Sequence, residues 1–310
     1  MQAPMVSPLA EDTLQATHPA CVMVFNANDP SGAGGLAADV TAIASVGAHA
    51  LSIVTGAYAR DTAEIFAHFA LDEEAVLAQA RAVLEDVPVQ VIKVGFVGSP
   101  ENVGAIAGIA TDYATVPLIA YMPDLSWWDE VQIDLYRDAF KELILPQTTV
   151  LVGSHSTLWR WLLPDWNTGS APDAQDIASA AHIYGVPYTL VTGIALPDQF
   201  IDNVLTSPQT VMASESFQRF EAIFTGAGDT LSAALAALLA SGDDLAEAFT
   251  EALSYLDRCL EGGFRPGMGH VVPDRLFWAL PEDVLDAESN SSVTPSSTFT
   301  LELPPNDTRH

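Results

Sequence analysis

Apolar and polar positions alternate in blocks along the chain. Cys21, Val22, Met23, Val24 and Phe25 form a short apolar run suited to a buried strand. Residues 28–35, dense in Asp, Pro, Ser and Gly, interrupt it as a loop. Leu36, Val40, Ile43 and Val46 then recur at helical spacing until Gly47. The same reading predicts strands over 51–55, 89–94, 118–122, 149–152 and 188–192. It predicts helices over 72–85, 101–110, 131–143 and 173–184, a hairpin from 200–205 and 210–213, and two closing helices over 229–240 and 244–260. Strands that alternate with helices of this length imply crossover connections, an α/β class and a mostly parallel sheet. Ligands of such sheets bind beyond the carboxyl ends of the strands. The loops after Phe25, Thr55, Met122, Val152 and Thr192 are therefore expected to face the site.

Composition narrows the partners. The 310 residues carry 11 basic against 40 acidic side chains, a formal net charge of −29, and the only lysines are Lys93 and Lys141. Polymeric nucleic acid and anionic membrane surfaces are bound through Lys and Arg, so both are excluded as partners. An anionic small substrate has to be held by backbone N–H groups, a metal or a few arginines. Two cysteines, Cys21 and Cys259, make no disulfide framework and read as reduced core residues. No run of 18 apolar residues exists, and residues 1–20 contain acids but no Lys or Arg, unlike a signal peptide. The expected location is cytoplasmic. Residues 1–19 read as a flexible leader, 20–285 as one domain, and 286–310, rich in Ser, Thr and Asn, as a disordered tail.

Two segments carry chemistry. In Thr225-Gly226-Ala227-Gly228-Asp229-Thr230, which opens a helix, two glycines let successive amides converge on one spot and the helix start adds partial positive charge. That arrangement suits a phosphoryl group in transfer, with Asp229 placed to accept a substrate proton. Read alone, Asp229 is equally a helix cap. The second segment, Asn28 to Asp39, follows the first strand directly. Its glycines at 32, 34 and 35 do not fit G-x-G-x-x-G, and it reads as a turn whose backbone approaches a small substrate.

With these segments the chain resembles the hydroxymethylpyrimidine/phosphomethylpyrimidine kinases of thiamin biosynthesis, a ribokinase-like branch that includes pyridoxal kinases. The matching stretches are NDPSGAGGLAAD, VTGAYARDT, IKVGFVGSPE, TLVTG, TGAGDTLSAALA and PGMGHVVPDRL, which span about 20 to 278. The resemblance implies a three-layer αβα ribokinase-like fold, ATP and Mg2+ as cofactors, a homodimer, and phosphorylation of a pyrimidine's hydroxymethyl group and then of its monophosphate. It puts Asn26, Asp29, Gly34 and Arg60 at the substrate, with Arg60 where the family commonly has a ring-reading Gln. Gly226, Ala227 and Gly228 match the anion hole. Asp229 matches a position where these enzymes commonly have Cys and the wider superfamily its Asp base. Thr192, Gly193, Thr225, Gly267 and Met268 are expected along the ATP groove.

The departures are as specific as the matches. The family's strand-end Asp-Pro-Val-Met is replaced around Tyr121 and Pro123, which leaves Asp124 as the expected metal ligand. The Asn-x-x-Glu near the metal appears as Ser154-His155-Ser156-Thr157, without an acid. Two alternatives stay open: a pyridoxal kinase, favoured by Asp229, and a catalytically weakened ligand-binding sensor of the same fold. His155 and His270 read as phosphate contacts or as structural histidines. Trp127 and Trp128 read as an aromatic lid or as a loop packed on the core.

Overall fold

The computed structural model describes residues 18–279; the expected leader, up to residue 17, and the expected tail lie outside the described residues. Strand β1 (Cys21–Asn28) is buried along nearly its whole length, as expected of a parallel strand covered on both faces. Met23 and Phe25 point into one core and Val22 and Val24 into the other, which is the period-two alternation of a strand.

Among the described residues, nine strands form one sheet in the order β3-β2-β1-β4-β5-β6-β7-β8-β9. The strands are β2 (His49–Arg60), β3 (Ile65–Ala70), β4 (Val91–Val94), β5 (Leu118–Met122), β6 (Val150–Ser154), β7 (Tyr188–Ala195), β8 (Phe200–Thr206) and β9 (Val211–Gln218). Six of them, from β2 across to β7, are parallel; β3, β8 and β9 join antiparallel at the two edges. Chain order reverses at β1, which has β2 on one side and β4 on the other. A crevice therefore opens beyond the carboxyl ends of β1 and β4.

One face of the sheet is covered by α2 (Glu73–Leu84), α3 (Pro100–Asp112), α4 (Glu130–Ala139), α5 (His155–Leu162) and α6 (Ala174–Ile183). The other is covered by α1 (Gly35–Ser45), α7 (Ala227–Ser241) and α8 (Leu245–Glu261). This is the expected three-layer αβα arrangement. Helix α7 is buried around much of its circumference, from Thr230 to Ala237, because it is wedged between α1 and α8 over β1, β4 and β5. Its alanines permit that close packing.

The structure corrects several expected elements. β2 continues past Thr55 to Arg60 and returns as β3, so the segment after Thr55 is a hairpin and not a loop. The helix expected over 131–143 gives way at Phe140 to a π-turn and then to a short 3-10 turn that includes Pro146. Helix α5 is not among the expected elements. It starts on Ser154, whose side chain caps the Thr157 amide, so the Ser154-His155-Ser156-Thr157 stretch is a helix start. Residues Leu276–Ala279, a separate unit, contain a 3-10 turn at Phe277–Ala279.

Candidate active site

Two glycine turns meet back to back at the switch point. The first, between β1 and α1, is shaped by Asp29, which is almost fully buried. Its Oδ1 accepts from the Ser31 amide (2.8 Å) and hydroxyl (2.6 Å), and its Oδ2 accepts from the Gly34 amide at 2.8 Å. Arg60, from the far end of β2, places Nη1 3.3 Å from the same Oδ2, with both side chains nearly inaccessible. The second turn, residues 225–228, leads into α7. Gly226 adopts φ +87° there, and a β-carbon on it would collide with the Ala33 carbonyl. Only glycine fits that conformation and that approach together.

Arg275 joins the two turns. Its Nε donates to Thr230 Oγ1 at 2.8 Å, Nη1 to the Gly32 carbonyl at 3.2 Å, and Nη2 to the Ala33 carbonyl. Burial lowers its pKa, while Asp229 pulls it back up. Arg275 falls within one of the matching stretches, yet the sequence assigns it no role. Nothing local marks it, because its partners lie 45 to 243 residues away.

Asp229 is held at the junction. Its Oδ1 accepts from Asn26 Nδ2 at 3.0 Å, and its Oδ2 accepts from the Gly35 amide at 3.0 Å. A side chain on Gly34 would lie 3.1 Å from Asp229 Oδ2 and 3.6 Å from Asp29 Oδ2, so the absence of one keeps the space between the two carboxylates open. The Asp229 side chain is 16% exposed. Beneath it, Lys93 and Asp39 are completely buried. Lys93 Nζ lies 2.5 Å from Asp39 Oδ1 and 3.5 Å from Asp229 Oδ1, and Asn26 Nδ2 also donates to Asp39 Oδ2 at 2.7 Å. Burial pushes the Asp39 carboxyl upward, opposed by Lys93 and reinforced by Asp229.

Tyr121, at the end of β5, directs its hydroxyl at Gly228; a β-carbon on Gly228 would collide with it. Burial first, then the charges of Asp229 and Asp39, push this phenol far up, so it stays protonated. An aromatic cluster packs around Phe96 in the core beside these residues. Tyr58 stacks on Phe96 with centroids 5.8 Å apart, and Trp127 meets both edge-on at 5.8 and 5.6 Å. Trp128 packs on Phe96 and Tyr136, so both tryptophans join the core cluster.

The structure brings Asn26, Asp29, Gly34, Arg60, Gly226, Ala227, Gly228 and Asp229 together. Thr225 lies beside them, its hydroxyl 3.0 Å from His270 Nδ1. Thr192 and Gly193 sit inside β7, at the irregularity between Val191 and Ile194, so no loop follows Thr192 directly; they lie four strands from β1 and thus roughly 19 Å along the sheet. Gly267 packs near Thr62, and the neighbouring Met268 is fully exposed. Asp124 is not hydrogen-bonded to the group, although its charge, with those of Asp229 and Asp39, acts on Tyr121. It accepts from Ser126 and pairs with Arg160 at 3.2 Å, with its side chain 56% exposed. His155 contacts the Pro172 carbonyl at 2.7 Å. Cys259 is buried and Cys21 half-buried, and both are free.

A family model described as phosphomethylpyrimidine kinase matches residues 29–274. The chain belongs to that family. Phosphomethylpyrimidine kinase relatives include the hydroxymethylpyrimidine/phosphomethylpyrimidine kinase of Streptomyces coelicolor, 25% identical over 85% of this chain and 97% of its own length. The Escherichia coli enzyme of the same name is 28% identical over 79% of this chain and 92% of its own. The fold matches the structure of an ADP complex of Bacillus subtilis pyridoxal kinase, with a TM-score of 0.75 at 20% identity over 85% of this chain and all of that one. This member of the phosphomethylpyrimidine kinase family is thus a phosphotransferase with a ribokinase-like fold. No helix among its described residues is long and apolar enough to cross a membrane.

Proposed function

We propose that the protein transfers the γ-phosphoryl group of ATP to the hydroxymethyl group of a small heteroaromatic alcohol, with hydroxymethylpyrimidine and its monophosphate as the substrates. One observation carries the reading: a partly exposed carboxylate stands at the amino end of a buried helix, between two glycine turns. Asp229 Oδ2 has one lone pair engaged by the Gly35 amide and one left for a substrate hydroxyl. The alcohol O–H gives its proton to that oxygen as the new O–P bond forms. The bond from the γ-phosphorus to the bridging oxygen breaks, and ADP leaves. Amides of Gly226, Ala227 and Gly228, with the positive end of α7, meet the charge on the phosphoryl oxygens. The Tyr121 hydroxyl, aimed at the same turn, is a further donor.

Tyr58 and Trp127, partly buried beside the core, are the aromatic side chains proposed to meet a flat ring. Arg60 and Asp29 supply polar contacts at its edge, and Asn26 and Gly34 complete the pocket. The nucleotide is proposed to lie along the strand ends, past Thr225, Gly267 and Met268 and toward Thr192 and Gly193. A cavity of about 800 Å3 lined by Phe217, Arg219, Phe220, Ile223 and Asp257 adjoins the entrance to the turn and offers room for a base. Asp124, the expected Mg2+ ligand, is held by Arg160 and Ser126. Among the described residues, no group of three His, Cys, Asp or Glu side chains is arranged to hold a metal. These residues do not form a protein-side metal cage, and Mg2+ is proposed to arrive with the triphosphate. A homodimer in the cytoplasm remains the expected setting.

The test is ADP formation with hydroxymethylpyrimidine, its monophosphate and pyridoxal offered separately. The pyrimidines are expected to be the faster acceptors, and Asp229→Asn is expected to lower kcat by about 10²–10⁴ with little change in the KM for ATP. Faster turnover of pyridoxal would reassign the substrate. Equal, negligible rates for wild type and variant would leave a ligand-binding protein.

A further inference from the structure

The proposed mechanism leaves two buried charges unused. Lys93 on β4 and Asp39 on α1 are both completely inaccessible, 54 residues apart in sequence. A buried ion pair is seldom a net gain over apolar side chains of the same size, so stability alone is a weak reason for its position.

Its placement gives another reason. Asn26 Nδ2 donates to both Asp39 Oδ2 (2.7 Å) and Asp229 Oδ1 (3.0 Å), so one amide nitrogen holds two carboxylates close together. Two like charges at that separation repel, and without a cation one of them takes up a proton. A protonated Asp229 has no capacity to accept the substrate proton. Lys93 supplies the cation. It also lies on the Oδ1 side, which leaves Oδ2 facing the opening. Its closer partner is Asp39, so Asp229 is not locked in a tight ion pair.

Among the other groups facing Asp229, Arg275 also acts on it by charge, but its hydrogen bonds go to Thr230 and to the Gly32 and Ala33 carbonyls and not to that carboxylate. The Tyr121 and Tyr58 phenols, from β5 and β2, are pushed upward by burial and stay neutral. Arg60 is paired with Asp29.

We propose that Lys93, seated on Asp39 beneath the two turns, is a positioning residue that keeps the Asp229 carboxylate ionised and aimed at the substrate hydroxyl. This rests on the kinase reading of Asp229.

The decisive comparison is Asp39→Asn against Lys93→Met/Asp39→Asn, two proteins that differ only in the cation beside Asp229. Asp39→Asn leaves Lys93 with Asp229 as its partner, and the double variant leaves no lone buried charge, so both are expected to fold. In the double variant the acid limb of the kcat profile is expected to lie about one pH unit or more above that of Asp39→Asn, with both KM values within about threefold. A second readout needs no turnover: 13C-carboxylate titration of aspartate-labelled protein, with the Asp229 signal assigned from Asp229→Asn. That signal is expected to titrate at higher pH in the double variant than in Asp39→Asn.

Acid limbs and carboxylate titrations that coincide in the two folded variants would overturn the proposal and leave Lys93 purely structural. If wild type phosphorylates no alcohol but the Asp229 signal shifts as stated, the kinase reading fails while the electrostatic role of Lys93 stands.

Discussion

The α-carbon of Gly226 lies against the carbonyl oxygen of Ala33, and this contact brings the two glycine turns into register. The amides of one turn and the carboxylate after the other then share one space. Gly226→Ala is expected to cost about 2–4 kcal/mol, the sum of left-handed strain and a backbone collision, and to abolish most activity. Gly242 has φ +105° but open space around it, so Gly242→Ala is expected to cost only about 1–2 kcal/mol. Denaturant midpoints of the two variants, side by side, separate strain from collision.

Two arginines differ sharply in what they hold. Arg275 is buried and makes three hydrogen bonds across the turns, so Arg275→Gln is expected to lose about 3 kcal/mol or more and to reduce kcat with it. Arg160 pairs with Asp124 in solvent, and Arg160→Ala is expected to change stability by less than about 1 kcal/mol. Urea unfolding of both variants checks the contrast.

Arg60 sits where it can meet an anionic group, and its link to Asp29 fixes the guanidinium. Arg60→Gln is expected to raise the KM of the monophosphorylated substrate about tenfold and that of the free alcohol less than about threefold, since only the former carries the extra charge. Equal changes in the two KM values would show that Arg60 acts on the shape of the Asp29 turn and not on substrate charge.

His68 titrates against folding. Burial lowers its pKa to about 4, and its Nε2 has no hydrogen-bond partner. The unfolded chain binds a proton at this site near pH 6.5 and the folded chain does not, so stability falls as pH drops from about 6.5 toward 4 and the loss levels off below that. The slope from this group is at most about 1.4 kcal/mol per pH unit. In His68→Leu, the stability difference between pH 7 and pH 5 is expected to be smaller than in wild type, as measured by denaturant midpoints at the two pH values. An identical difference in both proteins would remove His68 from the acid response.

The legible parts of this protein are those whose cause is local. The run 22–25 has to be buried on both sides, so its composition alone marks it as a central strand. Glycines before a helix start mark the Asp229 turn for the same reason, because φ, amide direction and helix charge are set within a few residues. The helix expected over 72–85 likewise matches α2, which Asp72 caps. Other elements are not legible in this way. Residues 65–70 carry apolar side chains without strand alternation, and β3 exists because β2 offers it an edge. Ser154 to Thr157 lacks a long apolar stripe, and α5 is held by burying Leu158 and Trp161 against other helices.

Sequence by itself determined the alternation of strands and helices, the glycine turns after β1 and before α7, and the carboxylate at the head of α7, since each depends on neighbours in the chain. Only tertiary structure decided what surrounds that carboxylate. Asn26, Lys93, Asp39 and Arg275 meet it across separations of up to 203 residues, and Asp124 is drawn off to Arg160. Charge and hydrogen-bond pairing act through space at a few ångströms, and which groups come that close is fixed by how the sheet and helices stack, which no local pattern encodes.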